Sequence, residues 1–263
     1  MWKLSVLFRR CAATLALLIS GWRPAHAQII ETETARIPQR GHFEVGTGYE
    51  FQTSSTGTEH AIPITLEGSL TNRLALLVEP VPYTSIRPKH GSRATGAGDL
   101  EVTATYVAVT ESGRRPAIAL AAEAKIPTAR NMNIGTTKAD YAGYLIMSKR
   151  AGRFDSHANL GYTVVGQPAG AQLSDILNGA VATMFHASDK NLVFAEVLGT
   201  TAVSGEGDSG TGEASVAPEA AAGELVGTVG GGRFIAPGVL LSFSVSYDNN
   251  HAILYRPGIT ISF

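Results

Sequence analysis

Residues 43–51, with the sequence FEVGTGYEF, change in character at every second position. Phe43, Val45, Thr47, Tyr49 and Phe51 fall on one face, while glutamate and glycine occupy the other. Successive side chains of a β-strand point to opposite faces of a sheet, so this stretch predicts a strand with one mostly apolar and one polar face.

The same alternation recurs along the chain, for example in residues 239–247 (VLLSFSVSY). Most of the alternating segments are about 10–12 residues long, which exceeds the roughly 5–6 residues of a typical soluble strand and fits the roughly 9–11 that a tilted membrane strand needs. The sequence therefore predicts an all-β fold, an antiparallel up-and-down transmembrane β-barrel of about 12 strands. The segments lie at about 42–51, 61–70, 74–83, 99–110, 116–126, 139–149, 155–165, 176–186, 191–200, 224–235, 239–248 and 252–263.

The connections between these segments alternate in length, as short periplasmic turns and longer outer loops do in membrane barrels. A tight turn at 248–250 is the exception, and an even strand number returns both ends to the periplasm. The short links are 71–73, 111–115, 150–154, 187–190 and 236–238, and the longer ones are 52–60, 84–98, 127–138, 166–175 and 201–223.

Residues 1–27 are expected to be a cleaved signal peptide. Lys3, Arg9 and Arg10 precede a short apolar run at 11–19, and small residues flank His26 before a cut between Ala27 and Gln28. The apolar run is about half the roughly 20 residues of a membrane-spanning helix. Cleavage removes four positive charges and no acid, which changes the formal net charge from −1 to −5.

The leader also contains Cys11 and both tryptophans, so the processed chain is expected to have no disulfide and no metal site built from cysteine. Residues 28–41 show no period and are expected to form a periplasmic lead-in, followed by a barrel at 42–263. We therefore expect the protein in the outer membrane of a Gram-negative bacterium.

The last strand carries a feature of chains that are handed to the barrel insertion machinery. Tyr255, Ile259, Ile261 and the terminal Phe263 share one face. Without tryptophan, the aromatic girdle would depend on residues such as Tyr83, Tyr106, Phe154, Phe194 and Tyr255.

Hydrocarbon offers no hydrogen-bond partner, so an open sheet edge in a bilayer leaves backbone groups unpaired, and closing the sheet removes both edges. The apolar face then meets lipid and the polar face turns inward. The alternative is a soluble periplasmic β-sandwich, which would pack its apolar faces together.

Polar residues on the alternating faces predict the lining of the lumen. They would form a mildly acidic conduit or binding lumen, or a plugged interior in which Lys125 pairs with Glu101 or Glu123. The candidate lumen-facing residues are Glu44, Glu50, Glu67, Glu79, Glu101, Glu123, Lys125, His157, Asn159 and Glu196.

Basic residues cluster in the loops at 84–98 and 127–138, with Arg87, Lys89, Arg93 and Arg130 as the candidates. They could bind lipopolysaccharide phosphates or guide anionic solutes. A solvated loop is the plainer interpretation, and pairing with the acidic 201–223 loop is a further one.

The sequence does not predict an enzyme. Ser156 and His157 are adjacent, and adjacent residues of a strand point to opposite faces, so they cannot act as nucleophile and base. No G-x-S-x-G, H-E-x-x-H or P-loop pattern occurs. We expect no catalytic residue, cofactor, metal or nucleic-acid partner, and we interpret Gly230-Gly231-Gly232 as a bend in a strand.

Several short motifs resemble the outer-membrane family named for the meta-cleavage pathway of phenol degradation. They are Gly96-Ala97-Gly98-Asp99-Leu100, Tyr106-Val107, Ile126-Pro127-Thr128, Ser148-Lys149 and Asn159-Leu160-Gly161-Tyr162. The resemblance covers about 96–166 and departs from the family at Ala129, where Pro-Thr-Gly is usual. It implies an outer-membrane barrel that takes up small, often aromatic or apolar molecules, and it carries over no catalytic residue.

The leading hypothesis is a porin-like barrel that acts as a passive channel or facilitator for an unidentified small molecule, with outer-membrane lipid and lipopolysaccharide as its surroundings. The alternatives are a non-conducting binding or structural barrel and the soluble β-sandwich.

Overall fold

The computed structural model describes residues 29–168, 173–201 and 223–263. Sixteen strands lie in these ranges. They are β1 (Phe43–Gly48), β2 (Glu50–Thr53), β3 (Gly57–Ile62), β4 (Ile64–Ser69), β5 (Leu74–Pro80), β6 (Tyr83–Pro88), β7 (Ala94–Gly96), β8 (Leu100–Val109), β9 (Ala117–Ile126), β10 (Asp140–Ala151), β11 (Phe154–Val164), β12 (Ile176–His186), β13 (Asn191–Thr200), β14 (Glu224–Ala236), β15 (Val239–Asp248) and β16 (Ile253–Ser262).

These strands form one closed antiparallel barrel. We call each full-length wall element a stave. Four staves are interrupted and consist of two strands each, namely β1/β2, β3/β4, β5/β6 and β7/β8. The eight strands from β9 to β16 are continuous staves, so the predicted number of twelve is confirmed. The ring closes where β1 and β2 pair with β16, through Val45 opposite Ile261 and Phe51 opposite Tyr255. Among the described residues, no helix has the length and apolar character to cross a bilayer.

The apolar face of the sheet points outward along the whole ring. Val229, Val181 and Leu160 are more than half exposed, whereas the inward Ser244 and Thr228 of the same barrel are buried. A β-sandwich would bury the first set, so the soluble alternative is wrong and the lipid-facing barrel is confirmed.

Prolines interrupt two of the four broken staves, β3/β4 and β5/β6, at a common level. Pro63 separates β3 from β4, and Pro80 and Pro82 flank the break between β5 and β6. Ladder pairing stops at Leu66–Val78 and resumes at Ile62–Tyr83, so residues 63–65 lie opposite residues 79–82 without ladder pairs. Proline has no N–H to give to a ladder, which accounts for a break at this place.

The loops expected at 52–60 and 84–98 are wrong, because most of these residues are strand. β2 and β3 pair up to Thr53–Thr58, and β6 pairs with β7 as an extension of the wall. The alternation is lost here because both faces carry polar residues, while backbone hydrogen bonds still hold the ladder.

The lead-in expected at 28–41 does not lie beneath the barrel; residues 29–41, named here the strap, enter the lumen. Thr32 is fully buried and Ile30 and Ala35 are each 5% exposed. Ala35 packs against inward residues of β8, β9 and β10, and Ile30 packs against Leu192 and Phe194. The strap therefore supplies much of the packing near the short-turn end, the end that faces the periplasm in membrane barrels.

The prediction that Phe194 belongs to the outer aromatic girdle is also wrong. Its side chain is 4% exposed and lies inside the barrel with Ile30. The neighbouring glycines make this possible, since a Cβ on Gly230 would lie 2.5 Å from the Phe194 ring. The ladder through Gly230–Gly232 is unbroken, so the glycines mark close packing and not the expected bend.

Candidate functional site

The central part of the lumen contains a cavity of about 540 Å³, named here the vestibule. Strand side chains and the tip of the strap line it together. Its charged lining comprises Glu31, Glu33, Glu50, Glu79, Glu101, Glu123 and Arg256. Six carboxyl groups against one guanidinium make the vestibule strongly acidic in composition.

The structure places all ten candidate lumen residues on the inward face. Glu50, Glu79, Glu101, Glu123 and Asn159 line the vestibule. Lys125 lies beside Glu79 and Glu101 in an adjoining cavity, but its ion pair is with Asp140 and not with the expected Glu101 or Glu123.

The other four candidates lie against the wall or the strap. Glu44 accepts a hydrogen bond from Ser262 Oγ at 2.9 Å, and Glu67 is its register partner on β4. His157 and Glu196 are each 2% exposed and lie beneath the strap.

Glu196 binds the tip of the strap. Its carboxylate accepts hydrogen bonds from the Thr32 hydroxyl and backbone N–H and from the Glu31 N–H. Arg256 on β16 holds the same tip from a second side, since it forms ion pairs with Glu31 and, at 2.8 Å, with Glu50. The tip of the strap is thus bound by β13 and by β16, three strands further round the ring.

The base of the strap is fixed by Arg36. Its Nε donates to Asp155 Oδ1 at 2.9 Å and its Nη2 to Glu111 Oε2 at 2.6 Å, while Lys149 Nζ reaches the other Glu111 oxygen at 2.8 Å. Partial burial opposes ionisation of Glu111, yet hydrogen bonds from Lys149, Arg36 and the Arg150 N–H lower its pKa from 4.5 to about 2. Glu111 lies in the turn between β8 and β9, so this network is at the short-turn mouth of the barrel.

Ser148 and His157 form a pair that adjacency in sequence could not show. They are register partners on β10 and β11, with Ser148 Oγ 2.8 Å from His157 Nδ1 and Asp155 Oδ1 3.6 Å from Nε2. The Ala35 N–H donates to Ser148 Oγ at 2.8 Å, so the strap covers the hydroxyl. The arrangement anchors the strap and gives a substrate no access to the oxygen.

Sequence reasoning missed Arg36 and four residues that line the vestibule, Glu31, Glu33, Tyr144 and Arg256. Arg256 follows the outward Tyr255, so the alternation of the last strand already placed it inward. The strap residues had no such signal, because their segment has no period. Within the described ranges, no group of three or more His, Cys, Asp or Glu residues is arranged to hold a metal ion.

The remaining candidates lie outside the lumen. Arg87, Lys89 and Arg93 are exposed on the β6–β7 hairpin, and Arg130 lines a separate cleft with Thr95 and Met132.

The C-terminal candidates lie at the seam. Tyr255, Ile261 and Phe263 are exposed outward, Ile259 shares their face, and Phe263 exchanges two backbone hydrogen bonds with Phe43 across the seam. The expected cut between Ala27 and Gln28 and most of the acidic 201–223 segment lie outside the described residues.

The fold is similar to those of crystallised outer-membrane channels. An outer-membrane channel from Pseudomonas putida F1 is 12% identical with a TM-score of 0.66, covering 90% of this chain and 100% of that one. The NanC porin is 10% identical with a TM-score of 0.57, covering 82% and 98%. The KdgM porin, solved in complex with a disordered oligogalacturonate, is 13% identical with a TM-score of 0.55, covering 84% and 99%.

A search of curated proteins found no significant match to the sequence. A protein family, described as "Putative MetA-pathway of phenol degradation", matches residues 28–250, which is most of the chain. The resemblance carried by the motifs between residues 96 and 166 is confirmed over this wider range, and the chain belongs to that family.

Proposed function

We propose that the protein is a passive outer-membrane channel for small molecules, in which the vestibule selects solutes and the strap forms the narrowest section. The observation that carries the proposal is a polar cavity of about 540 Å³ inside a closed barrel whose apolar face is outside. A cavity of this size accommodates a small solute with its water.

The charge of the vestibule supports a preference for cations and neutral molecules over anions. Its lining has six glutamates and one arginine, and low-dielectric walls focus the field of such a cluster. Neutral aromatic molecules of the phenol class, which the family description names, are compatible with this field.

A non-conducting barrel is the second candidate, and the strap favours it. Thr32 and Ile30 are buried, and Glu196, Ser148 and Asp155 all bind the same segment. Plugging here would come from the strap and not from Glu–Lys pairs. The two candidates differ in whether solute passes while the strap is in place.

The proposal includes export with a cleaved leader and no catalytic step. The expected result is a heat-modifiable band in outer membranes, with different migration of boiled and unboiled samples, and Gln28 as the first residue of the purified chain. A chain that stays in the aqueous fraction after osmotic shock would contradict the membrane location.

Planar bilayers with a KCl gradient, together with phenol flux into liposomes, test conduction. The wild type is expected to conduct with a cation-selective reversal potential, which a Glu79→Gln/Glu101→Gln variant shifts toward zero. Asp189→Asn, on an exposed short turn, is the matched control and should leave selectivity unchanged. The plugged barrel would be established instead if the wild type passes neither ions nor phenol and a variant that lacks residues 29–38 conducts.

A further inference from the structure

The extended β6–β7 hairpin presents its cations on the outside of the wall. Phe51 stacks on the outward Tyr255 with ring centroids 6.2 Å apart. Directly paired residues share a face, and the ladder runs from Phe51 through His60 and Ser85 to Thr95. Arg87, two residues beyond Ser85, therefore also points away from the lumen.

Arg87 and Arg93 lie just beyond the last ladder pair of this hairpin, one on each side of it. The pairs Ser85–Thr95 and Ile86–Ala94 place these two arginines at the next position of the register. Both are exposed, and Arg93 Nη2 donates to Ser85 Oγ at 3.2 Å, which keeps it on the outward face. Like charges directly opposite each other destabilise a strand pair, so an anion bound between them would remove a repulsion.

The height of the pair above the membrane boundary indicates the kind of anion. Tyr83, on the same face of β6, is an outward aromatic of the type that forms the interfacial girdle. Arg87 is four residues further along, roughly 13 Å along the strand and about 10 Å in height for a strand tilted by about 40°. This is the level of lipid headgroups, and Lys89 extends the positive charge beyond it.

We propose that Arg87 and Arg93, assisted by Lys89, bind the phosphate groups of lipopolysaccharide from the lipid side of the barrel. Guanidinium groups bind phosphate through paired N–H donors, which suits two opposed arginines. Guidance of anionic solutes fits less well, because the side chains point away from the lumen and the vestibule is acidic. Within the described residues, neither Arg87 nor Arg93 forms an ion pair that would compete.

The test uses the purified full-length barrel in detergent with lipid A that carries both phosphates, and binding is measured by native mass spectrometry over a salt series. Arg87→Gln/Arg93→Gln is expected to weaken binding by about tenfold and to flatten its salt dependence. Arg114→Gln, an exposed arginine on the opposite short-turn end, is the matched control and should bind as the wild type does. Heat-modifiable migration of each variant shows that it is folded.

Dephosphorylated lipid A provides the second arm. It should bind the wild type and the double variant equally weakly. Equal retention of phosphorylated lipid A by wild type and double variant would overturn the proposal. So would a double variant that binds lipid A normally and loses anion flux, since the arginines would then serve the solute path. Lipid A binding is measured without any reference to conductance. The lipid proposal and the channel proposal can therefore be contradicted independently of each other.

Discussion

Arg36 Nε lies 2.9 Å from Asp155 Oδ1, and this ion pair binds the base of the strap to the start of strand β11. Asp155 is 3% exposed, so its carboxylate meets partners inside the protein instead of bulk water. His157 Nε2 is 3.6 Å from the same oxygen, which places the strap, the carboxylate and the Ser148–His157 pair in one connected network.

Replacing Arg36 by Gln should loosen the strap. The change removes charge-assisted hydrogen bonds to Asp155 and Glu111, each of which contributes about 1.5–3 kcal/mol. In an Ala35→Cys background, where the cysteine is buried while the strap is seated, maleimide labelling should become at least about tenfold faster. Arg40→Gln, an exposed position of the same segment, is the control, and equal labelling rates in the two variants would contradict the assigned role of Arg36.

The Glu111 network predicts a pH dependence of stability. The pKa of Glu111 is about 2 in the folded protein and 4.5 ordinarily, so its stabilisation is fully present above about pH 4.5 and is lost as the pH falls toward 2. In urea unfolding followed by gel migration, the wild type should be more stable than Glu111→Gln at pH 6, and the gap should close near pH 2. A gap that is unchanged by acid would show that Glu111 does not act through its charge.

Replacing Gly230 by Ala should destabilise the barrel by about 1–3 kcal/mol, the usual cost of overpacking. The added Cβ would lie 2.5 Å from Phe194 and 2.7 Å from the Phe243 carbonyl oxygen, so neither the ring nor the backbone has room for it. Gly227→Ala on the same strand is the control, because its nearest neighbour is 4.0 Å away. Urea midpoints measured in detergent should fall for the first variant alone, and a similar fall in both would assign the effect to glycine in general.

The fold was predictable because apolar and polar residues alternate with a period of two along a strand that has one face in lipid and one in the lumen. Each correct strand, such as β15 with Phe243 out and Ser244 in, carries its orientation in its own sequence. The errors at β2–β3 and β6–β7 have one cause: above the bilayer both faces meet water, so the ladder persists while the pattern disappears.

The candidate site was predictable only where a strand supplies it. Alternation placed Glu101 and Glu123 inward, but the partner of Lys125 depended on register across β9 and β10, where Asp140 lies directly opposite it. Thr32 and Glu196 are 164 residues apart, and no local period announces a contact of that kind. Phe194 fits inside the barrel because Gly230 has no side chain there. The girdle prediction considered the aromatic residues alone and not the glycine opposite Phe194.

The strap is continuous with β1 and turns into the lumen at the periplasmic mouth, where the His42 N–H donates to the Gln39 carbonyl. It therefore enters the lumen from the same mouth at which β1 begins. The β1–β16 ladder and the strap's contacts with Asp155, Glu196 and Arg256 use different residues of the wall. We therefore expect that the wall can close on itself before the strap occupies its interior.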